Sequence, residues 1–338
     1  MKVLVVTNMY PSTERPHWGA FVRSQVESLE LLGVSVDIYE IEGWRSTWNY
    51  WRALRELPAV ARRVRADLVH AHFGLSGAAA MQVSDQPLVV SFCGDDLLGR
   101  PNTRGRTTSK SRVLVRLSYV VARRADAVIV KSEEMRRRIP GVEQVDVIPN
   151  GVDLERFVPL ACDEARARLG WSAEGHVVLF VGQPNEPRKN WPFAREVESR
   201  LLARGHDVRL VAIHDRTQDE VVLAMNAADA LLLPSYHEGS PNAVKEAMAV
   251  GLPVVAAPVG DCVERLRGCW PGAVVQRDAA SFADATEAVL MADSRSNGRE
   301  CIAPLEFSAV ASRVLDVYKR VLGSRHEAAE MRQTGTPA

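Results

Sequence analysis

LLLPSYHEGSPNAVKEAMAVGLPVVAAPVG, residues 231–260, holds the pattern that decides the fold of this chain. Three leucines run into Pro234 and a polar turn, which reads as a buried strand ending in a loop. Ser240 stands as a helix N-cap with Pro241 at the favoured first helical position. A helix of small and apolar residues follows, and LPVVAAP (252–258) opens the next strand. A helix that begins where a strand ends presents backbone N–H groups, and these together with the helix dipole favour an anion. Here the groups are those near Asn242 and Ala243. Two carboxylates flank them, Glu238 just before the helix and Glu246 in its second turn. An anion site beside two carboxylates suits a ligand with a diphosphate and several hydroxyls. Taken alone, the E-x7-E spacing is equally that of an amphipathic helix with two surface glutamates, so the neighbouring segments must decide.

Outward from this stretch, short apolar runs alternate with amphipathic ones. VLVVTN (3–8), VSVDIYEI (34–41), DLVHAH (67–72), PLVVSF (87–92), DAVIVK (126–131) and VDVIPN (145–150) read as strands in the first half. HVVLFVG (176–182), DVRLVAIH (207–214), DALLLPS (229–235), LPVVAAP (252–258) and AVVQ (273–276) follow in the second. Helix-like segments lie between them, the first from Phe21 to Leu32. This rhythm predicts an α/β fold of two Rossmann-like parallel-sheet domains. Residues 151–175, with Pro159 and a charged stretch, read as the connection, with one short helix. The expected domains are 1–160 and 161–306. FSAVASRVLDVYKRVL (307–322) has helical apolar spacing, and the polar residues 323–338 read as a disordered tail.

The 338 residues are enough for two cores, and 46% hydrophobic with 25% charged residues is an ordinary globular composition. The net charge is zero and no nucleic-acid module is recognisable, which argues against a nucleic-acid partner. Five cysteines, Cys93, Cys162, Cys262, Cys269 and Cys301, form no C-x-x-C pair, which fits a reducing compartment and no zinc site. No signal-peptide pattern and no apolar run of membrane-spanning length is present, so a cytoplasmic location is expected. Residues 100–124 carry eight basic side chains and no acidic one, and Trp44, Trp48 and Trp51 stand among Arg45, Arg52, Arg55 and Arg62. A solvated, packed face explains this pattern, and so does peripheral docking on an anionic membrane surface.

The segment SYHEGSPNAVKEAMAVGLPVVAAPVGD resembles the donor-site signature of the retaining GT-B glycosyltransferases of family 4, above all the teichuronic-acid and capsular-polysaccharide type. Further motifs agree in the family's order: MKVLVVTNMYP…GAF, DLVHAHFG, SFCGDD, DAVIVKSEEM, VIPNGVDLERF and FVGQPNEPRKNW. The likeness spans about residues 1–320. It implies transfer of a sugar from a nucleoside diphosphate sugar to a glycan, lipid-linked or small-molecule acceptor hydroxyl, with retention and without a metal or other cofactor. By the same resemblance Glu238 contacts the donor sugar, Glu246 holds the ribose, and the backbone of Gly239, Ser240, Asn242 and Ala243 receives the diphosphate. Arg188 and Lys189 neutralise the leaving group, a role for fixed cations wherever a departing diphosphate gathers charge. Gly19 allows close backbone approach to donor or acceptor, although a plain helix-start glycine is as good a reading. The C-terminal helix crosses back to the first domain.

The chain departs from the family at three points, one of them a stretch VAIHDRTQDEVVLAMNAADA that is shorter than usual in the region that helps cradle the base, so the resemblance does not carry over the base. Relatives often have Arg directly after the glycine of FVG, where Gln183 stands, and His where Cys93 stands. His72, Asp96 and Cys93 are then the acceptor-side candidates. His70 and His72 are expected on opposite sides of their strand, one of them structural. Asp95–Asp96 does not match a metal-binding D-x-D context. A nucleotide-sugar epimerase on the same fold and a non-catalytic nucleotide-sugar-binding subunit are the alternatives. A dinucleotide dehydrogenase is disfavoured, because no G-x-G-x-x-G follows the first strand.

Overall fold

Apolar strands two to six residues long, most of them buried on both faces, require helices above and below them. The computed structural model, which describes residues 1–15 and 18–334, has this arrangement twice. The first sheet holds β1 (Lys2–Thr7), β2 (Ser35–Glu40), β3 (Leu68–His72), β4 (Leu88–Ser91), β5 (Ala127–Val130) and β6 (Val145–Val147). Their order is β2-β1-β3-β4-β5-β6, all parallel. The second holds β7 (His176–Val181), β8 (Val208–Ile213), β9 (Ala230–Leu233), β10 (Val254–Ala256) and β11 (Ala273–Val274) in the order β11-β10-β9-β7-β8, again parallel. Each sheet reverses its strand order once, between β1 and β3 in the first and between β7 and β9 in the second.

The helices cover the sheets through apolar residues at helical spacing. The helix Trp48–Val64 buries Ala53, Leu57 and Ala61 along one line, and leaves Trp48 75% and Trp51 62% exposed. The sheet-facing residues Leu4, Val6, Val69, Val90 and Val128 join Leu57 in one core. Each fully buried aliphatic side chain of this kind stabilises the fold by about 1.5–3 kcal/mol.

The chain divides into two compact units. One comprises Met1–Gly99, Ser109–Gly151 and the residues from Phe307 onward; the other comprises Arg100–Thr108 and Val152–Glu306. The boundary thus falls nine residues before the expected 160. Arg100–Thr108 is an excursion that the sequence did not suggest. It is closed by a bridge between Pro101 and Thr107, and Gly105 lies so close to the Tyr236 ring that a Cβ would come within 2.6 Å of it. The basic run 100–124 is therefore split: its first three arginines belong to the second unit, and the helix Ser109–Ala122 to the first.

The C-terminal helix, Phe307–Thr334, buries Val310, Ala311, Val314, Val317, Tyr318 and Val321 and packs on the helix Ala20–Leu31. It continues through 323–334, where a disordered tail was expected; residues 335–338 lie outside the described residues. The composition past Gly323 favours helix, and Arg325 anchors it through Asp126 at 3.5 Å and the Asp85 carbonyl at 3.2 Å. Among the described residues no helix is long and apolar enough to cross a membrane.

Candidate active site

Ligands of open parallel sheets bind beyond the carboxyl ends of the strands, where the strand order reverses. In the second unit that point lies between β7 and β9, and the loops leaving these two strands carry the candidate residues. After β7 the chain turns at Gly182 (φ 147°), whose missing Cβ leaves room for the Lys189 side chain; a Cβ would sit 2.9 Å from Lys189 Cγ. A short 3-10 turn, Pro187–Lys189, then points Arg188 and Lys189 at the loop after β9.

Glu238, on that second loop, receives both cations. Lys189 Nζ donates to Glu238 Oε1 at 2.9 Å, Ser235 Oγ donates to the same oxygen at 2.8 Å, and Arg188 donates to Oε2. Arg188 also pairs with Glu186 at 2.7 Å. Glu238 is only 8% exposed. Burial alone would raise its carboxyl, but Arg188 and Lys189 overcome this and hold it down at about 2. A carboxylate has about four lone-pair sites; with three filled, Glu238 can accept one further donor.

Glu246 shows the opposite behaviour. It lies on the helix Asn242–Ala249 and is pushed up to about 7 by burial, only partly offset by Lys245 and Lys189. Its side chain has no hydrogen bond or ion pair among the described residues. The site thus holds one carboxylate fixed in its charged form and one that titrates near neutrality.

Ser240 is not the N-cap expected of it. The cap position is Pro241, and the Ser240 hydroxyl instead donates to Asp261 Oδ2 at 2.9 Å while accepting from Lys245 Nζ at 3.0 Å. This buried Lys–Ser–Asp chain fixes the loop from beneath and commits the Ser240 hydroxyl, so Ser240 faces a ligand with its backbone, beside Gly239, Asn242 and Ala243 at the start of the helix. Arg277 fastens the same loop from the other side, donating to the carbonyls of Pro234 (3.2 Å), Ser235 (2.7 Å) and Tyr236 (3.1 Å) and stacking on the Tyr236 ring. Ser235, Lys245, Asp261 and Arg277 were all missed in the sequence. Lys245, standing beside Glu246 in a helix whose core positions are small and apolar, was the one available signal. Gln183 turns to Asp215, with its amide nitrogen 3.1 Å from the carboxylate, and adds no charge to the site.

The first unit carries its own cluster at the ends of β3, β4 and β5. His70 and His72 share one face, their rings 4.3 Å apart, because strand side chains repeat every two residues; the expectation of opposite sides is corrected. His70 is locked between Tyr318 OH (2.6 Å) and Ser91 Oγ (2.8 Å). Burial holds the imidazoles of both His70 and His72 in the neutral form, His70 at about 3. Asp96 accepts from the backbone N–H groups of Gly94 (2.9 Å), Cys93 (3.0 Å) and Gly74 (3.2 Å), which ties two loops together. Burial raises it to about 6 despite those bonds. The Cys93 thiol is pushed up to about 12 by burial and, next, by Asp96, so it stays protonated at neutral pH. Gly19 also belongs to this unit. It caps the helix Ala20–Leu31 with φ 71°, and a Cβ there would lie 2.3 Å from the Met9 carbonyl oxygen, so the fold itself demands glycine.

Comparison with known proteins places this geometry. Residues 1–156 match Glycosyltransferase Family 4, and residues 172–292 match Glycosyl transferases group 1. The teichuronic acid biosynthesis glycosyltransferase TuaC of Bacillus subtilis is 27% identical over 327 residues, 77% of this chain and 82% of that one. Among solved structures, sucrose-phosphate synthase from Thermosynechococcus elongatus is similar with a TM-score of 0.72 at 20% identity, over 96% of this chain and 99% of that one. Anabaena Alr3699/HepE in complex with UDP is similar with a TM-score of 0.66 at 16% identity, over 95% and 100%; the same protein has also been solved with UDP-glucose. Two parallel-sheet units, the two family matches and these likenesses together make the chain a glycosyltransferase with the GT-B fold, and it belongs to glycosyltransferase family 4.

Proposed function

We propose that this chain transfers a glycosyl unit from a nucleoside diphosphate sugar to an acceptor hydroxyl, retaining the anomeric configuration and using no metal ion or other cofactor. The reading rests on one observation above all: two cations from the loop after β7 converge on a buried carboxylate from the loop after β9, at the reversal of the sheet. Breaking the bond between the anomeric carbon and the phosphate oxygen leaves charge on the diphosphate. Arg188 and Lys189 are already fixed in place to receive that charge, which is what makes such groups effective in catalysis. Glu238 positions them and offers its remaining acceptor site to a hydroxyl of the donor sugar. Glu246, without a side-chain partner among the described residues, takes the ribose hydroxyls, and the backbone at Gly239, Ser240, Asn242 and Ala243 faces the phosphates. Structures of a similar fold hold UDP and UDP-glucose, which supports a nucleotide sugar as donor.

The first unit, with His72, Asp96 and Cys93, is proposed to serve the acceptor, and cell-surface polysaccharide or glycoconjugate synthesis is the fitting context. The exposed Trp48 and Trp51, beside Arg52 and Arg55, support a peripheral membrane contact for a lipid-linked acceptor.

The test is calorimetric titration of UDP, GDP and ADP in EDTA, on wild type and Glu246→Ala. One nucleotide is expected to bind without metal and to bind more weakly to the variant. If none binds, the donor site is misassigned. With the matching sugar donor, NMR of the product must show the donor's anomeric configuration, and turnover must survive EDTA. Conversion of the donor without acceptor would favour an epimerase instead.

A further inference from the structure

The first unit contains a buried cation that makes no ion pair among the described residues. Lys131 follows directly on β5, is 2% exposed, and has no hydrogen bond or ion pair among the described residues. Isolated ammonium groups are costly to bury and normally persist only when paired. Asp96 acts on Lys131 through space without bonding to it, its oxygens accepting instead from the backbone N–H groups of Gly74, Cys93 and Gly94. The two imidazoles within reach of Lys131 are neutral and cannot balance its charge.

A second polar atom nearby is also unsatisfied. His72 is 1% exposed and its Nδ1 has no hydrogen-bond partner among the described residues, although most buried polar atoms have one. His70, held by Tyr318 and Ser91, stacks against the His72 ring and keeps it in place. Strands β3, β4 and β5 are neighbours and parallel, so the residues at their carboxyl ends meet on one edge of the sheet. An unpaired ammonium and an unpaired imidazole nitrogen therefore sit on that edge.

We infer that Lys131 and His72 form a binding site for an oxyanion, a phosphate or carboxylate group carried by the acceptor, and so set its substrate class. The inference deepens the transferase reading by assigning an anionic acceptor to the first unit. The ammonium supplies the charge and up to three donors, and His72 Nδ1 adds a directed one. The arriving oxyanion provides the counter-charge that burial otherwise denies to Lys131.

The experiment uses the full chain with UDP saturating the donor site and compares thermal midpoints in inorganic phosphate, acetate and chloride at matched ionic strength. Phosphate or acetate is expected to raise the wild-type midpoint by about 2–4 °C over chloride, and whichever does so names the group. Lys131→Met is expected to abolish this rise while leaving the midpoint in chloride unchanged or higher, because it removes a buried unpaired charge. His72→Gln, which keeps the lysine, is expected to reduce the rise. General salt effects on stability would shift wild type and variants alike, and an equal shift overturns the inference. So does a wild type indifferent to both anions, or a Lys131→Met chain that does not fold, since the charge would then serve the protein itself. UDP binding, measured separately, keeps the two readings distinguishable. Loss of UDP binding with an intact Lys131-dependent response defeats the transferase reading alone. Normal UDP binding with no such response defeats the oxyanion site alone.

Discussion

The two units solve the same problem in opposite ways. Each brings polar side chains to the carboxyl edge of a buried parallel sheet, where burial penalises charge. In the second unit the carboxylate of Glu238 remains charged because two cations and a hydroxyl meet it. In the first, His70 and His72 are neutral, Asp96 is satisfied by backbone, and Lys131 stands unpaired. On the second edge the cations are already held by a carboxylate before any ligand arrives; on the first, the ammonium of Lys131 has no hydrogen bond or ion pair among the described residues. A preorganised edge suits charge stabilisation in a reaction, whereas an incomplete one suits recognition.

The contrast can be broken most forcefully at Glu238. Glu238→Ala removes the acceptor that aligns Arg188 and Lys189, and turnover is expected to fall by about 10²–10³-fold, measured as initial rate with the donor identified by titration. A rate within threefold of wild type would show that the cations need no such anchor. Next in size is Lys189→Met, which leaves Glu238 with Arg188 as its sole cation. It is expected to lower turnover about 100-fold and to cost up to about 3 kcal/mol in urea unfolding. Loss of rate without loss of stability would mean that the pair is too well hydrated to count as buried.

On the other side of the comparison, Tyr318→Phe leaves His70 Nδ1 without a partner and should destabilise the chain by about 1–3 kcal/mol while UDP affinity stays at the wild-type value. A change in UDP affinity would mean that the two edges are coupled. The smallest expected effect is a pH dependence. With its carboxyl at about 7, Glu246 is protonated below neutrality and ionised above it. In the proposed role ribose hydroxyls donate to the ionised form, so nucleotide affinity is expected to rise by up to about tenfold from pH 6 to pH 8 and to stay flat in Glu246→Gln. The sign for stability is opposite. A carboxyl raised on folding favours the folded chain at low pH, and that contribution is lost as pH climbs from 4.5 to about 7.

How much of this could be read in advance depended on the range of the interactions. Ten of the eleven strands lie within the apolar runs that predicted them, and β1 starts one residue before its run, since burial writes itself into contiguous residues such as Val3 to Val6. Glu238, Glu246, Arg188 and Lys189 were legible as residue types in a recognisable order. Their mutual geometry was not, because Lys189 and Glu238 lie 49 positions apart in the chain. The same distance hid Arg277, which grips carbonyls more than forty residues away. Ser240 was misread because local rules make serine before proline a cap, and a buried lysine and aspartate outcompeted that local preference. Lys131 ended an apolar run without seeming unusual, and only the fold shows it buried without a hydrogen bond or ion pair among the described residues.

The division of the chain bears on the order in which this protein can be made. The backbone passes between the two units at four places, and the last pass delivers the helix that begins at Phe307. Tyr318, on that helix, supplies the hydrogen bond that secures His70 in the first unit. During synthesis the amino-terminal half therefore emerges with its buried histidine unanswered. The second unit can collapse around its sheet as soon as Glu306 clears the ribosome, while the unit begun first is finished last.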